Sequence, residues 1–123
     1  MVENGDQPLA PQLDVHEEPR GEESRVIALR GELDVATVGR LREALSGAID
    51  DPTAKLVVVD LVEVTFIDST GLMTLLNALR RLVRRGGRLV LACSNPTVLR
   101  LFEATKTDAT FEIVPTREQA LAA

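Results

Sequence analysis

The stretch KLVVVDLVEVTFI, residues 55–67, is an almost unbroken run of apolar and β-branched side chains. A strand with one wet face alternates; the segment LVVVDLVEV, 56–64, is too apolar for that. Its first half therefore belongs at the centre of a sheet covered on both faces. The character changes abruptly downstream, where Leu72, Leu75, Leu76, Leu79, Leu82 and Val83 recur at helical spacing. Asn77, Arg80, Arg81, Arg84 and Arg85 take the opposite, solvated face, and the arginines near the end complement the helix dipole. A helix from Ser69 to Arg85, stopped by Gly86 and Gly87, follows. A buried strand running straight into a helix is the basic unit of an α/β fold.

The flanking segments extend the alternation. QLDVHEE (12–18) reads as an edge strand, PRGEES (19–24) as a turn, and RVIALRG (25–31) as a strand ended by Gly31. Asp34 is placed to cap a helix carrying Val38, Leu41, Leu45 and Ile49 on one face, with Gly39 weakening its first turn by about 1 kcal/mol. DDPTAK (50–55) is a loop, and RLVLAC (88–93) is a second buried strand. In SNPTVLRLFEAT (94–105), Ser94 or Asn95 caps a helix with Pro96 in its first turn and Val98, Leu101 and Phe102 facing inward. TFEIV (110–114) is a short strand, and PTREQALAA opens a last helix at Pro115. The order β-β-α-β-α-β-α-β-α predicts an α/β domain, a mixed sheet of about five strands with about four helices packed against it. Residues 1–10 are polar and aperiodic and read as a disordered tail, leaving 11–123 as one domain.

Composition removes several functions. A net charge of −5 disfavours a phosphate backbone as partner, and 2% aromatic residues leave almost nothing on which bases stack, so no nucleic acid is expected. No apolar run approaches a membrane span and no signal peptide is visible, so a cytoplasmic protein without membrane contact is expected. The single cysteine, Cys93, reads as a small buried hydrophobe. His16, the only histidine, is far from any candidate nucleophile, and neither a serine elbow, a phosphate loop nor a metal-ligand cluster is present. The chain is expected not to be an enzyme and to need no cofactor or metal.

Attention falls on the seam Asp68-Ser69-Thr70-Gly71. Short oxygen-bearing side chains cap exposed helix amides, and glycine permits a tight strand-to-helix turn. Capping needs one such side chain, however, and three stand in succession. One can cap while another points outward, at the strand's carboxyl end where α/β sheets place their sites. A phosphoryl group there adds about −1.5 to −2 charges, and a helix N-terminus favours it by about 0.3–1 kcal/mol. Its larger effect falls on whatever docks over the loop.

GELDVATVGRLREAL, LVVVDLVEVTFIDSTGL and GRLVLACSNPTVLRLFEAT, in this order and spacing, resemble the STAS-domain anti-sigma factor antagonists of bacteria. The likeness spans about Leu13 to Ala122, and its most specific element is a strand followed by Asp-Ser-Thr-Gly-Leu opening a leucine-rich helix. The resemblance implies a single STAS domain whose serine after the aspartate is phosphorylated by a cognate anti-sigma factor with an ATPase-type serine kinase fold. The unphosphorylated form binds that factor and frees a sigma factor; a PPM-type phosphatase restores it. Carried onto this chain, the phosphosite is Ser69, with Thr70 the rival acceptor. The partner surface comprises Asp68, Ser69, Thr70, Gly71 and Leu72 with Gly31 and Asp34 of the neighbouring loop. Gly31 and Gly71 also have a purely geometric reading, and Asp34 a capping one. TKTDATF (105–111) departs from the Thr-Gly-Leu-type turn common in the family and questions the geometry of that loop.

The alternatives are a STAS subunit of a stressosome-like complex or of a transporter. The first usually carries an additional sensor domain, for which about ten N-terminal residues leave no room. Anion-transporter STAS domains follow a membrane segment, and lipid-transporter subunits commonly alter the serine motif, which is intact here.

Overall fold

The computed structural model describes residues 12–123, so the tail expected at 1–10 lies outside the described residues. The elements are β1 (Leu13–Arg20), β2 (Ser24–Leu33), α1 (Val38–Asp50), β3 (Leu56–Ile67), α2 (Ser69–Arg84), β4 (Arg88–Ala92), α3 (Pro96–Ala104), a 3₁₀ turn (Thr107–Ala109), β5 (Glu112–Val114) and α4 (Arg117–Ala122). The strands lie side by side in chain order, β1-β2-β3-β4-β5. β1 pairs antiparallel with β2, and every later pairing is parallel. The expected five-stranded mixed sheet with four helices is thus the fold.

The central run behaves as its composition requires. Val57, Val59 and Leu61 point to one face, where α1, α2 and α3 deliver Leu41, Leu45, Leu75, Leu82, Val98 and Phe102 into one continuous core. Val58 points to the other, packing with Val26, Val90 and Ala120 of α4. Val57, Val58 and Val59 are thus covered on both sides, by the α1–α3 layer and by α4, and this half of β3 has no need to alternate.

Several boundaries differ from expectation for a shared reason. β3 continues through Ile67 rather than ending at 64, and β2 runs on through Gly31 to Leu33. The β2–β3 register shifts twice: Ala28 opposes Asp60, but Arg30 opposes Glu63 and Glu32 opposes Phe66. The two extra residues in β3 are bulges, which reset the side-chain parity. Leu61, Val64 and Ile67 therefore all face the core despite a spacing of three. Gly31 does not end its strand; it sits at φ 119°, where an added Cβ would lie 2.4 Å from the Gln12 carbonyl oxygen.

Asp34 does not cap α1, which begins after Thr37 with no side-chain cap. Its carboxylate closes the turn before the helix, accepting from the Ala36 amide at 3.0 Å and the Thr37 amide at 3.2 Å. The apolar stripe of α2 is narrower than expected, because Val83 is 60% exposed. Arg85 turns back, donating to the Ala54 carbonyl at 2.7 Å. Asn95, not Ser94, caps α3 through the Thr97 amide, while its Nδ2 donates to the Val64 carbonyl at 3.2 Å and ties α3 to the bulged part of β3. Pro115 precedes α4, whose cap is Thr116. Arg117 locks that helix onto the second face, donating to Asp60 at 2.9 Å and Glu18 at 3.3 Å. In the unusual 105–111 segment Lys106 adopts φ 63°, ψ 19°, the left-handed conformation that glycine occupies without cost.

Two substitutions test this account in opposite directions. Gly31→Ala should destabilise the chain by about 2–4 kcal/mol, through a forbidden φ and a collision with backbone. Lys106→Gly should stabilise it by about 0.5–1 kcal/mol by relieving the left-handed residue. Urea midpoints measured at constant m value check both.

Candidate functional site

Three pieces of chain meet where β2 and β3 end together. Leu33 pairs with Ile67, and the Asp68 amide donates to the Leu33 carbonyl at 3.1 Å. Asp68 then turns the chain into α2 as its N-cap, with Oδ1 accepting from the Gly71 amide at 3.0 Å. Its second oxygen, Oδ2, accepts from the Val35 amide at 3.2 Å across the gap to the β2–α1 loop. One carboxylate thus fixes both the start of α2 and the neighbouring loop. That loop is also held from within: buried Thr37 donates its hydroxyl proton to the Glu32 carbonyl at 2.8 Å and accepts from the Asp34 amide at 3.0 Å.

The residues after Asp68 divide by burial. Ser69 is exposed, and no hydrogen bond among the described residues engages its hydroxyl. Thr70 is half-buried, and its carbonyl accepts from the buried Thr74 hydroxyl at 3.0 Å. Gly71 is buried with no space for a side chain, since a Cβ would stand 2.8 Å from Leu33 Cγ and 3.0 Å from Ile67 Cγ1. Leu72 is 5% exposed and part of the core. Of the surface assembled from the sequence, Asp68, Ser69, Thr70 and Asp34 are brought together at or near solvent. Gly71 and Leu72 lie beneath it and set its shape, whereas Gly31 is half-buried in β2 against Gln12.

The structure adds apolar members that periodicity alone did not flag. Val35, 73% exposed, projects from the locked loop; Phe66, 46% exposed, stands at the end of β3; Met73, 47% exposed, lies one helical turn after Ser69. All three belong to elements that converge on Asp68. Their signal in the sequence was apolar residues at positions the core pattern does not use. Exposed apolar residues on these elements suit an interaction surface rather than a catalytic cleft.

No other chemistry is assembled among the described residues. No group of acidic, histidine or cysteine side chains suited to a metal ion exists. Cys93 is buried, and that burial pushes its thiol up from its ordinary value, which leaves it unreactive. His16 lies in β1 beside Glu18, not at the seam. Among the described residues no helix is long and apolar enough to cross a membrane.

Comparison with known proteins gives a consistent result. The family model for the STAS domain matches residues 10–120. An anti-sigma F factor antagonist of Lysinibacillus sphaericus is 35% identical over 81 residues, covering 66% of this chain and 69% of the relative. Among solved structures, an anti-sigma factor antagonist from Mycobacterium paratuberculosis superposes with TM-score 0.82 at 27% identity, over 90% of this chain and 92% of that one. The anti-sigma factor antagonist SpoIIAA in its unphosphorylated form gives TM-score 0.75 at 29% identity, over 88% and 93% of the two chains. The Bacillus protein in its phosphorylated form gives TM-score 0.70 at 28% identity, over 89% and 97%.

The local design makes a stability prediction. Asp68→Ala removes a helix cap and releases the exposed Val35 amide to water, and should cost about 0.5–2 kcal/mol. Hydrogen exchange should show the Val35 and Gly71 amides opening first, with the amides of β4 unaffected.

Proposed function

The chain belongs to the STAS domain family, and on that premise we propose that it is an anti-sigma factor antagonist switched by phosphorylation of Ser69. The observation that carries this reading is the exposed, unengaged Ser69 hydroxyl, held by a rigid seam at the N-terminus of α2. An attacking kinase need break no internal hydrogen bond to reach it. Thr70, half-buried, is the less accessible acceptor.

In the unphosphorylated state the surface offers a partner exposed Val35, on the loop tied to Asp68, and Met73, one helical turn after the Ser69 hydroxyl. The partner is an anti-sigma factor with an ATPase-type serine kinase fold, and its capture releases a sigma factor. Phosphoryl transfer replaces the Ser69 Oγ–H bond with Oγ–P as ADP departs from ATP and the proton passes to solvent. The new charge of about −1.5 to −2 lies next to Asp68 and against the docked partner, which must desolvate or repel it. The fold itself tolerates the charge, because α2's N-terminus stabilises an anion by about 0.3–1 kcal/mol. A PPM-type phosphatase then hydrolyses the ester and returns the binding form. The protein works in the cytoplasm as a binding module, with no catalytic group of its own; the supports are the Ser69 geometry and the antagonists it resembles.

Immobilised native protein, Ser69→Ala and Ser69→Asp, exposed to lysate of the source organism, test the switch, with captured proteins identified by mass spectrometry. Ser69→Ala should retain an ATPase-fold anti-sigma factor, and Ser69→Asp should bind it about 5- to 150-fold more weakly. Equal retention by all three baits, or capture of transporter or stressosome components alone, overturns the assignment.

A further inference from the structure

α1 and α2 pack side by side against the sheet, and their outer faces leave an open groove of about 590 Å³. It runs along α2 from Thr70 to Arg84, about 21 Å at 1.5 Å per residue. Met73 is the exposed apolar residue that lines it, Leu45, Ile49 and Ala78 lie beneath as buried core, and Arg42, Arg80, Arg81 and Arg84 stand around them. No carboxylate among the described residues lines it, on a chain whose net charge is −5. Of the four arginines only Arg81 has an acidic partner among the described residues, Asp50 at 3.4 Å. The guanidinium groups of Arg42, Arg80 and Arg84 are exposed and unpaired there. An acidic protein has thus gathered single-sign charge along one groove between two helices while its other surfaces carry the carboxylates.

We propose that this groove seats an acidic amphipathic helix of a protein partner, about four turns long, its carboxylates on Arg42, Arg80 and Arg84 and its apolar side chains on exposed Met73 and the methylene stems of the arginines. Arginine suits the task because its planar fork holds carboxylate oxygens in pairs and tolerates partial desolvation. A small-molecule site gathers a few buried, convergent polar groups, whereas here every charge is on an exposed side chain strung along a helix. Helix-in-groove recognition combines apolar anchors with a charged rim, which Met73 and the arginines supply here. A nucleic acid would want aromatic platforms, which the groove lacks.

The inference rests in one respect on the switch reading and otherwise stands alone. Thr70 lies at the groove's end, so a phosphoryl group on neighbouring Ser69 would bring negative charge up to an acidic occupant. Like charge at that mouth would expel it, adding an electrostatic route to release.

The test uses the full-length protein, isotope-labelled for NMR, and a synthetic 16-residue helical peptide with leucine on one face and glutamate on the other. Shift changes should centre on Arg42, Ser46, Met73, Asn77, Arg80 and Arg84, and binding should weaken as salt is raised. Three exposed ion pairs together carry about tenfold in affinity, so Arg42→Gln/Arg80→Gln/Arg84→Gln should lose at least that much. The same charge change placed elsewhere, Arg30→Gln/Arg100→Gln/Lys106→Gln, should alter affinity less than about twofold. Absence of binding, equal binding of a peptide with glutamine for glutamate, shifts outside the groove, or tighter occupation of it by ATP or duplex DNA each overturns the proposal. None of these outcomes bears on whether Ser69→Ala and Ser69→Asp differ, so the two readings fail separately.

Discussion

Parallel pairing of β2 with β3 organises everything that follows. Two parallel neighbours cannot be joined by a hairpin, so the chain must leave the sheet and return, and α1 is that return path. The same constraint recurs at β3–α2–β4, which lays α2 alongside α1 on one face. Both strands also deliver their carboxyl ends to one edge of the sheet. There the β2–α1 loop and the N-terminus of α2 come within reach of a single aspartate, whose two oxygens address one amide on each. The exposed serine, the apolar residues around it and the arginine-lined groove are three products of this geometry.

Rigidity and exposure are combined at the seam by assigning them to different residues. Asp68 and Gly71 are committed to holding the turn, Gly71 because Leu33 and Ile67 leave no volume for a side chain. Ser69 stands between them with no structural duty. A modification confined to such a position acts on partners and leaves the core undisturbed. This separation distinguishes the motif from an ordinary helix cap, in which the hydroxyl itself would be consumed by the backbone.

Much of this was legible in the chain. The buried run at 56–64, the leucine stripe of α2 and the Asn95-Pro96 start of α3 announced their elements through composition, periodicity and capping. The bulges in β3 were not legible, because a register shift depends on two strands at once while a sequence shows one. They carried β3 three residues past its expected end and explain why inward side chains change spacing there. Asp34 failed as a cap for a similar reason. Its carboxylate had amides closer at hand, and Thr37, unremarked in the sequence, took the buried position. Within the site, Ser69 and Asp68 were found by their local pattern. Val35, Phe66 and Met73 became visible only when folding showed which apolar residues the core leaves out.

The strand order has a consequence for how the chain acquires its structure. Each strand lies beside its predecessor, so the sheet can grow in the order of synthesis with only modest loops to close at each step. The second face follows a different schedule. Val26, Val58 and Val90 belong to strands made early, yet their cover, Ala120 and Leu121, belongs to the last helix. A nascent chain can therefore complete the seam at Ser69 while one side of its sheet still exposes apolar surface. Arg117, reaching Asp60 and Glu18, would be the latch that ends this interval. Until it closes, the hazard for the chain is association through the bare valines, and the six residues of α4 govern the yield of folded protein far more than their length suggests.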